Sequence, residues 1–271
     1  MKKFLIPIDF SDASKNAAAY AVNLTKDMAD TKLIFYHVYG NNPFSPATSR
    51  EESIRYQVSL EELENLKNTS GEGAVGRIEC VAEEGSFADN ITDYALGNHI
   101  DMIIMGITGS SRITQVFMGT NTLNVIRRVN CPVMVIPPDA TFTGMKKVVF
   151  TSDFKDVARS TPFASLKKVL NIFEPALHIL NVDSEHYVEL TDEFKLERET
   201  MEERLGQYNP EFSFLRSYDF LNGINDYVTM KQIDAIITVP RKHSFLSQLF
   251  KTSHTKKLAY HSTVPIIAIP A

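Results

Sequence analysis

Short apolar runs alternate with longer amphipathic runs along the first half of the chain. The apolar runs predict β-strands at residues 3–8, 32–39, 77–82, 102–105 and 133–136. The amphipathic runs, whose apolar residues recur every three or four positions, predict helices near residues 13–28, 51–66, 87–97 and 120–129. Strands that alternate with helices in this way predict right-handed crossovers and a parallel, doubly wound α/β sheet.

The second half of the chain repeats this pattern. Residues 2–10 resemble residues 146–154, an offset of 144, and residues 100–104 match residues 233–237, an offset of 133. The second copy is therefore 11 residues shorter in its middle. The repeat predicts two tandem, doubly wound domains, each with a five-stranded parallel sheet, at residues 1–140 and 145–271.

Composition and charge exclude some classes of function for this chain. Apolar residues make up 44% of the chain and charged residues 23%, which is enough to bury a large core. The formal net charge of -5 leaves no broad basic surface for a phosphate backbone, so nucleic acid is not expected as a partner. No stretch approaches the roughly 18 apolar residues that cross a bilayer. We therefore expect a soluble, cytoplasmic protein with no membrane partner.

The stretch that follows the predicted fourth strand carries the strongest chemical signal. It consists of Gly106-Ile107-Thr108-Gly109, nine further residues, and Gly119-Thr120-Asn121-Thr122 at the start of a predicted helix. Glycines let the backbone approach a ligand closely, and the free N–H groups at a helix start favour a phosphate. An ordinary turn at the first two glycines, and a plain N-cap role for Thr120, explain the same residues without a ligand.

Asp9 follows the predicted first strand. In a doubly wound sheet with strand order 3-2-1-4-5, the first and fourth strands flank the point where ligands bind, so Asp9 is expected beside the glycine stretch. Its carboxylate can accept hydrogen bonds from ribose hydroxyls or coordinate a metal ion on the phosphates. The alternative is a turn or N-cap residue before the first helix, although Asp12 is the better candidate for the N-cap.

Together with their flanks, these residues resemble the ATP-binding signature of the universal stress protein family. The resemblance rests on Gly106-x2-Gly109-x9-Gly119-Thr120 with the run after it to Pro137, on Ile6-Pro7-Ile8-Asp9-Phe10-Ser11, and on the turn Glu83-Glu84-Gly85. It covers nearly the whole chain as two tandem domains. It implies a Rossmann-like fold of the adenine nucleotide α-hydrolase-like group.

The resemblance also implies ATP as the ligand of the first domain, with Mg²⁺ or Mn²⁺ as an accompanying ion. The sequence departs from the family at Ile107-Thr108, where many members have a polar pair, often with a histidine before the second glycine. This departure concerns the metal and phosphate contacts more than the adenine pocket. The nucleotide-binding residues implied by the resemblance are Pro7, Asp9, Val38, Met105, Gly106, Gly109, Gly119, Thr120, Asn121 and Thr122.

The second copy lacks the glycines of the first. With the offset of 133 they are replaced by Val239, Lys242 and Thr252, while Asp9 keeps a counterpart in Asp153. A branched residue in place of the first glycine blocks close backbone approach. We therefore expect the first domain to bind nucleotide and the second not to bind it in the manner of the family.

No general base is evident beside the glycine stretch, which favours a stress-response sensor or adaptor that binds ATP without catalytic residues. Two alternatives stay open: a slow ATP hydrolase or nucleotidyl-transfer enzyme, and an adaptor whose second domain binds a different ligand. The histidines of the second copy, at positions 178, 186, 243, 254 and 261, are irregularly spaced, which favours surface or capping roles over a metal site.

The fifth predicted strands of both copies are apolar edge strands, which associate readily when unpaired. Members of the family pair these strands between domains, so the resemblance implies that the two halves pair with each other around a pseudo-twofold axis. A homodimer of the whole chain is a further expectation. The expected small-molecule partner is an adenine nucleotide.

Overall fold

The computed structural model describes residues 1–40, 49–107, 120–183, 191–217, 220–240 and 262–270. The chain forms two compact units, Met1–Phe142 and Thr143–Ala271. Each unit is a parallel sheet with helices between its strands, so the predicted fold class is confirmed. In the described residues no helix is both long enough and apolar enough to span a membrane.

The first unit contains five strands and five described helices. The strands are β1 (Lys2–Pro7), β2 (Thr31–Tyr39), β3 (Ile78–Glu84), β4 (Met102–Gly106) and β5 (Val133–Ile136). The helices are α1 (Asp12–Leu24), α2 (Ser49–Asn68), α3 (Glu72–Val75), α4 (Phe87–Gly97) and α5 (Thr120–Arg128). All strands are parallel, in the predicted order β3-β2-β1-β4-β5.

The central strands of this unit are covered on both faces, which explains why their sequences are continuously apolar. Leu5 of β1 pairs with Ile34 of β2 on one side and with Ile103 of β4 on the other. All three side chains are buried. Complete burial of an aliphatic side chain of this size contributes about 1.5–3 kcal/mol. The apolar runs therefore fix which strands lie in the middle of the sheet.

Helix α1 begins at Asp12 and is capped by Ser11. The Ser11 hydroxyl accepts a hydrogen bond from the Ser14 N–H at 3.2 Å. The prediction of Asp12 as the N-cap was wrong by one residue, because Ser11 has the extended backbone that a cap requires and a side chain short enough to reach back. Asp12 is instead the first helical residue, where its charge interacts favourably with the helix dipole.

The second unit has the same strand order but a broken first helix. Its strands are β6 (Lys147–Thr151), β7 (Ala176–Asp183), β8 (Glu211–Arg216), β9 (Ala235–Thr238) and β10 (Ile266–Ala268). Its described helices are α6 (Val157–Ser160), α7 (Phe163–Phe173), α8 (Asp192–Leu205) and α9 (Phe220–Lys231). The sheet order is β10-β9-β6-β7-β8. The single turn of α6 ends before Pro162, which has no N–H to continue a helical ladder.

Both units tie the start of their first strand to the aspartate that precedes their fourth strand. Asp101 Oδ2 accepts the Lys3 N–H at 2.9 Å, and Asp234 Oδ2 accepts the N–H groups of Lys146 and Lys147 at 2.7 and 2.8 Å. The ammonium groups of Lys3 and Lys147 each donate to a backbone carbonyl at the end of the helix that precedes the fourth strand of the unit, at 3.0 and 3.1 Å. These contacts belong to the scaffold that the repeat has kept.

The chain segment that follows β5 is fastened to α1. The ring of Phe142 packs edge-on against Tyr20 of α1, with ring centroids 5.5 Å apart. The Asn16 side-chain amide lies 3.2, 3.0 and 3.2 Å from the carbonyl oxygens of Pro137, Pro138 and Ala140. The first unit is therefore completed by residues beyond its last strand.

Candidate functional site

The carboxyl ends of β1, β2 and β4 meet at one edge of the first sheet. β1 pairs with both neighbours, so these ends are adjacent. At this point the chain connections leave β1 in opposite directions across the sheet, which is where doubly wound folds bind ligands. We define the switch-point edge as the five residues that the sheet brings together here: Pro7, Asp9, Val38, Met105 and Gly106.

Asp9 forms the turn between β1 and α1. Its Oδ1 accepts hydrogen bonds from the Ser11 N–H at 3.0 Å and from the Ser11 hydroxyl at 2.5 Å, and its own N–H donates to Ser14 Oγ at 3.3 Å. Burial raises the pKa of Asp9, but the hydrogen bonds from Ser11 and Ser14 outweigh it, and the pKa lies below the ordinary value of 3.8. Asp9 is thus an exposed, ionised acceptor that is also part of a structural turn.

Gly106 is required by helix packing. A Cβ at this position would overlap the carbonyl oxygen of Ala13 and lie 2.6 Å from the Ala13 carbonyl carbon, both of them backbone atoms of α1. This packing requirement stands beside the expected role of Gly106 in letting the backbone approach a ligand, which it does not test. The missing side chain lets the first turn of α1, four residues after Asp9, pack on the carboxyl end of β4.

The described part of the predicted phosphate-binding stretch is the start of α5. Gly109 and Gly119 lie outside the described residues. The helix begins at Thr120, whose side chain is likewise not described, and Asn121 is exposed while Thr122 is only 2% exposed. The groups that this helix start can offer to an anion are its first N–H groups and the exposed Asn121 side chain.

His37 belongs to the site and was missed by the sequence analysis. It lies on β2 beside Val38, and its Nδ1 is 2.6 Å from the Ile8 carbonyl oxygen. Its ring packs on that of Phe10, with centroids 4.7 Å apart, and Phe10 itself has a left-handed φ of 63°. A signal was present in the repeat, because β2 and β7 each carry one uncharged polar residue at this place in an apolar run, His37 and Asn181.

The second unit keeps the backbone geometry of this edge. Asn181 Nδ2 donates to the Ser152 carbonyl oxygen at 2.9 Å, as His37 does to Ile8 in the first unit. Phe154 has a left-handed φ of 51°, and Asp153 Oδ1 accepts the Lys155 N–H at 3.2 Å. The turn that follows the first strand is thus retained where the glycines are not.

The surroundings of that turn differ between the units. Phe154 packs against Phe194 of α8 and Phe214 of β8, with ring centroids 4.9 and 5.6 Å apart, where Phe10 packs on a histidine. The N–H of Val157, at the start of α6, donates to the Glu197 carboxylate at 2.8 Å. Val239 is buried at the place of Gly106. The second edge is therefore packed by aromatic side chains and by an acidic side chain of its own unit.

His178 lies in a buried polar network, so its predicted surface or capping role was wrong. The side chain is 6% exposed, and its Nδ1 is 3.0 Å from the Tyr227 hydroxyl, which also contacts the Ser213 hydroxyl at 2.9 Å. Glu211 Oε2 is 3.6 Å from the same nitrogen and Glu211 Oε1 pairs with Lys231 at 2.6 Å. Spacing along the sequence could not reveal these partners, because they come from β8 and α9.

The described residues contain no group of three or more His, Cys, Asp or Glu side chains placed to hold a metal ion. The switch-point edge supplies one carboxylate, that of Asp9. Divalent magnesium and manganese favour several oxygen ligands, which one carboxylate does not provide. Within the described residues, this edge therefore offers a metal ion one carboxylate ligand, and the fit to Mg²⁺ or Mn²⁺ is incomplete without further oxygen ligands.

A doubly wound parallel sheet with a carboxylate and a glycine at its switch point defines the class of Rossmann-like α/β domains. The family model for the universal stress protein family matches residues 1–137. The chain therefore belongs to the universal stress protein family, which confirms the resemblance found in the sequence.

Individual relatives agree with this assignment. A universal stress protein of Methanocaldococcus jannaschii is 32% identical over 140 residues, which cover 50% of this chain and 81% of that protein. A second universal stress protein of the same organism is 28% identical over 153 residues, covering 50% of this chain and 94% of that protein. The crystal structure of a universal stress protein from Archaeoglobus fulgidus DSM 4304 has a TM-score of 0.67 at 16% identity over 99% of this chain and 98% of that chain. At this identity the last likeness shows the fold alone, and it includes both units.

Proposed function

We propose that the first unit binds ATP at the switch-point edge and that the protein acts as a nucleotide-dependent sensor or adaptor in a stress response. The observation that carries the proposal is the packing of Ala13 on Gly106, which places the first turn of α1, directly after the Asp9 turn, on the carboxyl end of β4. A carboxylate and a helix start that face one ligand suit a ribose and a phosphate chain.

Each residue of the edge has a role in this proposal. Asp9 accepts hydrogen bonds from ribose hydroxyls, and Pro7 and Val38 border the adenine. Met105 and Gly106 lie beside the ribose and phosphates. The residues after Gly106 hold the phosphates through backbone N–H groups, including that of Thr122, whose side chain is buried. These phosphate-binding residues are Gly109, Gly119, Thr120, Asn121 and Thr122. Mg²⁺ or Mn²⁺ enters on the phosphates, whose oxygens supply most of its ligands.

The proposal assigns no catalytic residue. The hydrogen bonds from Ser11 and Ser14 keep the pKa of Asp9 below its ordinary value. A carboxylate in this state is a weak general base at neutral pH, because the best base has a pKa near the working pH. Occupancy by ATP, rather than turnover, is therefore the proposed signal. Cytoplasmic location, pairing of the two halves and a homodimer of the whole chain are further parts of the proposal.

Calorimetric titration of the whole protein with ATP and magnesium tests this function. We expect one site per chain, with affinity reduced about tenfold or more in D9A, the fold-change expected from losing one charge-assisted hydrogen bond. The matched variant D153A removes the corresponding carboxylate of the second unit and should bind ATP like the native chain. G119D should abolish binding, because it places a negative charge in the phosphate-binding stretch.

Two results would count against the proposal. The absence of saturable ATP binding by the native chain would refute it outright. Equal losses in D9A and D153A would refute the assignment of the site to the first unit. Steady ATP turnover that disappears in G119D, with the fold retained, would instead favour an enzyme.

A further inference from the structure

The last hydrogen bond between the end of β1 and β2 is made by a side chain instead of the backbone. The Ile8 N–H donates to the Tyr36 carbonyl at 2.8 Å, as a parallel ladder requires. The next hydrogen bond of such a ladder would run from the Val38 N–H to the Ile8 carbonyl. Among the described residues this backbone bond is not formed, and His37 Nδ1 contacts that carbonyl at 2.6 Å.

In the second unit a side chain replaces the corresponding backbone hydrogen bond, but the residue is a different one. The Ser152 N–H donates to the Leu180 carbonyl at 3.0 Å, and Asn181 Nδ2 then donates to the Ser152 carbonyl at 2.9 Å. The two units therefore share a side-chain N–H donor at this place, not an imidazole. The histidine contact must be a donation as well, because a carbonyl oxygen can only accept.

The contact has a consequence for Val38. Along a strand, the N–H and C=O of one residue point to the same neighbouring strand, and those of Val38 point toward the end of β1. Since the Ile8 carbonyl accepts from His37 and the ladder bond to it is not formed, the Val38 N–H is released from the ladder at the switch-point edge. An adjacent backbone donor and acceptor match a nucleobase edge that carries an acceptor beside an amino group.

We propose that His37 is a positioning residue for base recognition. By donating its Nδ1–H to Ile8, it fixes the end of β1 and keeps the Val38 N–H and C=O available to the base. It acts through Val38 and does not touch the ligand. The inference rests on the proposed nucleotide binding.

Two variants of His37 and one control test the role. H37L removes the donor and should weaken ATP binding about tenfold, as expected for the loss of one positioned hydrogen bond. H37N supplies the donor that Asn181 supplies in the second unit, and it should restore affinity to within about threefold of the native chain. N181L removes the corresponding side-chain hydrogen bond of the second unit and should leave ATP affinity unchanged. Circular dichroism verifies the fold of each variant.

Amide exchange measured by NMR supplies a readout that needs no ligand. In the nucleotide-free native chain the Val38 amide should exchange about tenfold faster than that of Tyr36, which lies within the ladder. Saturating ATP should slow the Val38 amide and leave that of Val182 unchanged.

The outcomes separate this inference from the proposed function. If native protein binds ATP and H37L binds equally well, the positioning role is overturned while the proposed function stands. If H37N loses as much affinity as H37L, the imidazole itself contacts the ligand and the inference is again wrong. A Val38 amide as protected as Tyr36 without nucleotide also overturns it. If the native chain binds no ATP, the proposed function fails and the inference fails with it.

Discussion

In the first unit, Gly106 lets the Ala13 backbone of α1 rest on the end of β4, whereas in the second unit Val239 stands at that place and the helix is divided into α6 and α7. The two units nevertheless hold the start of their first strand in the same way, through Asp101 and Asp234. The aspartate contacts, which both units share, are therefore requirements of the fold. The packing of Ala13 on Gly106, which occurs in the first unit, is the better guide to a ligand.

The largest effect should come from copying the second unit into the first. G106V places a branched side chain against the backbone of α1, and that backbone cannot yield without moving the whole helix. We expect it to destabilise the first unit by about 3 kcal/mol, the upper part of the range for overpacking. Hydrogen exchange of first-unit peptides in increasing denaturant measures the change. ATP binding should be lost at the same time.

The matched control for this variant is G97A. Gly97 ends α4 and has open space around its Cα, so a methyl group meets no neighbour. It should change the stability of the first unit by less than about 1 kcal/mol, the size of the difference in helix propensity. A G106V protein as stable as G97A would show that α1 can shift, and the comparison of the two units would lose its physical basis.

A smaller loss of stability, equal in the two units, is expected when the aspartate contacts that both units share are removed. D101A and D234A each remove a carboxylate that accepts backbone N–H groups at the start of the first strand. Each should destabilise its own unit by about 2 kcal/mol, as for hydrogen bonds to a charged group. Exposed Asp93 of α4 provides the control, since D93A should change stability by less than about 0.5 kcal/mol. Unequal losses from the two scaffold aspartates would break the claim of a common scaffold.

The smallest effect concerns a network that only the second unit has. Burial lowers the pKa of His178 below its ordinary value of 6.5, with Lys231 and Lys147 acting in the same direction and Glu211 opposing them. Between the two pKa values the unfolded chain binds more protons than the folded one. The unfolding free energy of the second unit should therefore fall as pH decreases below about 6.5 and level off below the folded pKa.

Two substitutions check the source of this slope. H178I introduces the residue found at the corresponding position of the first unit, Ile34, and should flatten the dependence on pH. H99N replaces an exposed histidine of the first unit and should leave it unchanged. Denaturant midpoints of the second unit between pH 5 and 8 give the measurement. A slope that persists in H178I would assign it to another group.

The pattern of apolar residues predicted the sheet well because each central strand is buried on both faces. Burial on both faces requires a continuous apolar run, which can be recognised from the sequence of the strand alone. Asp9 and Gly106 were also located correctly, since strand order places the ends of β1 and β4 together. The reason for Gly106 was not predictable, because it is the backbone of Ala13 that fills the space. His178 was misassigned because its hydrogen-bond partner Tyr227 lies 49 residues away in the sequence.

Asn16 has one further consequence, for where the first unit can be cut from the chain. The match to the family model ends at residue 137, yet the Asn16 amide reaches carbonyls as far as Ala140, and Tyr20 packs on Phe142. A fragment that stops at the last strand leaves a half-buried amide without its acceptors and an aromatic ring without its neighbour. A fragment that ends after Phe142 keeps both, so the natural boundary for isolating the unit follows side-chain contacts and not the end of sequence similarity.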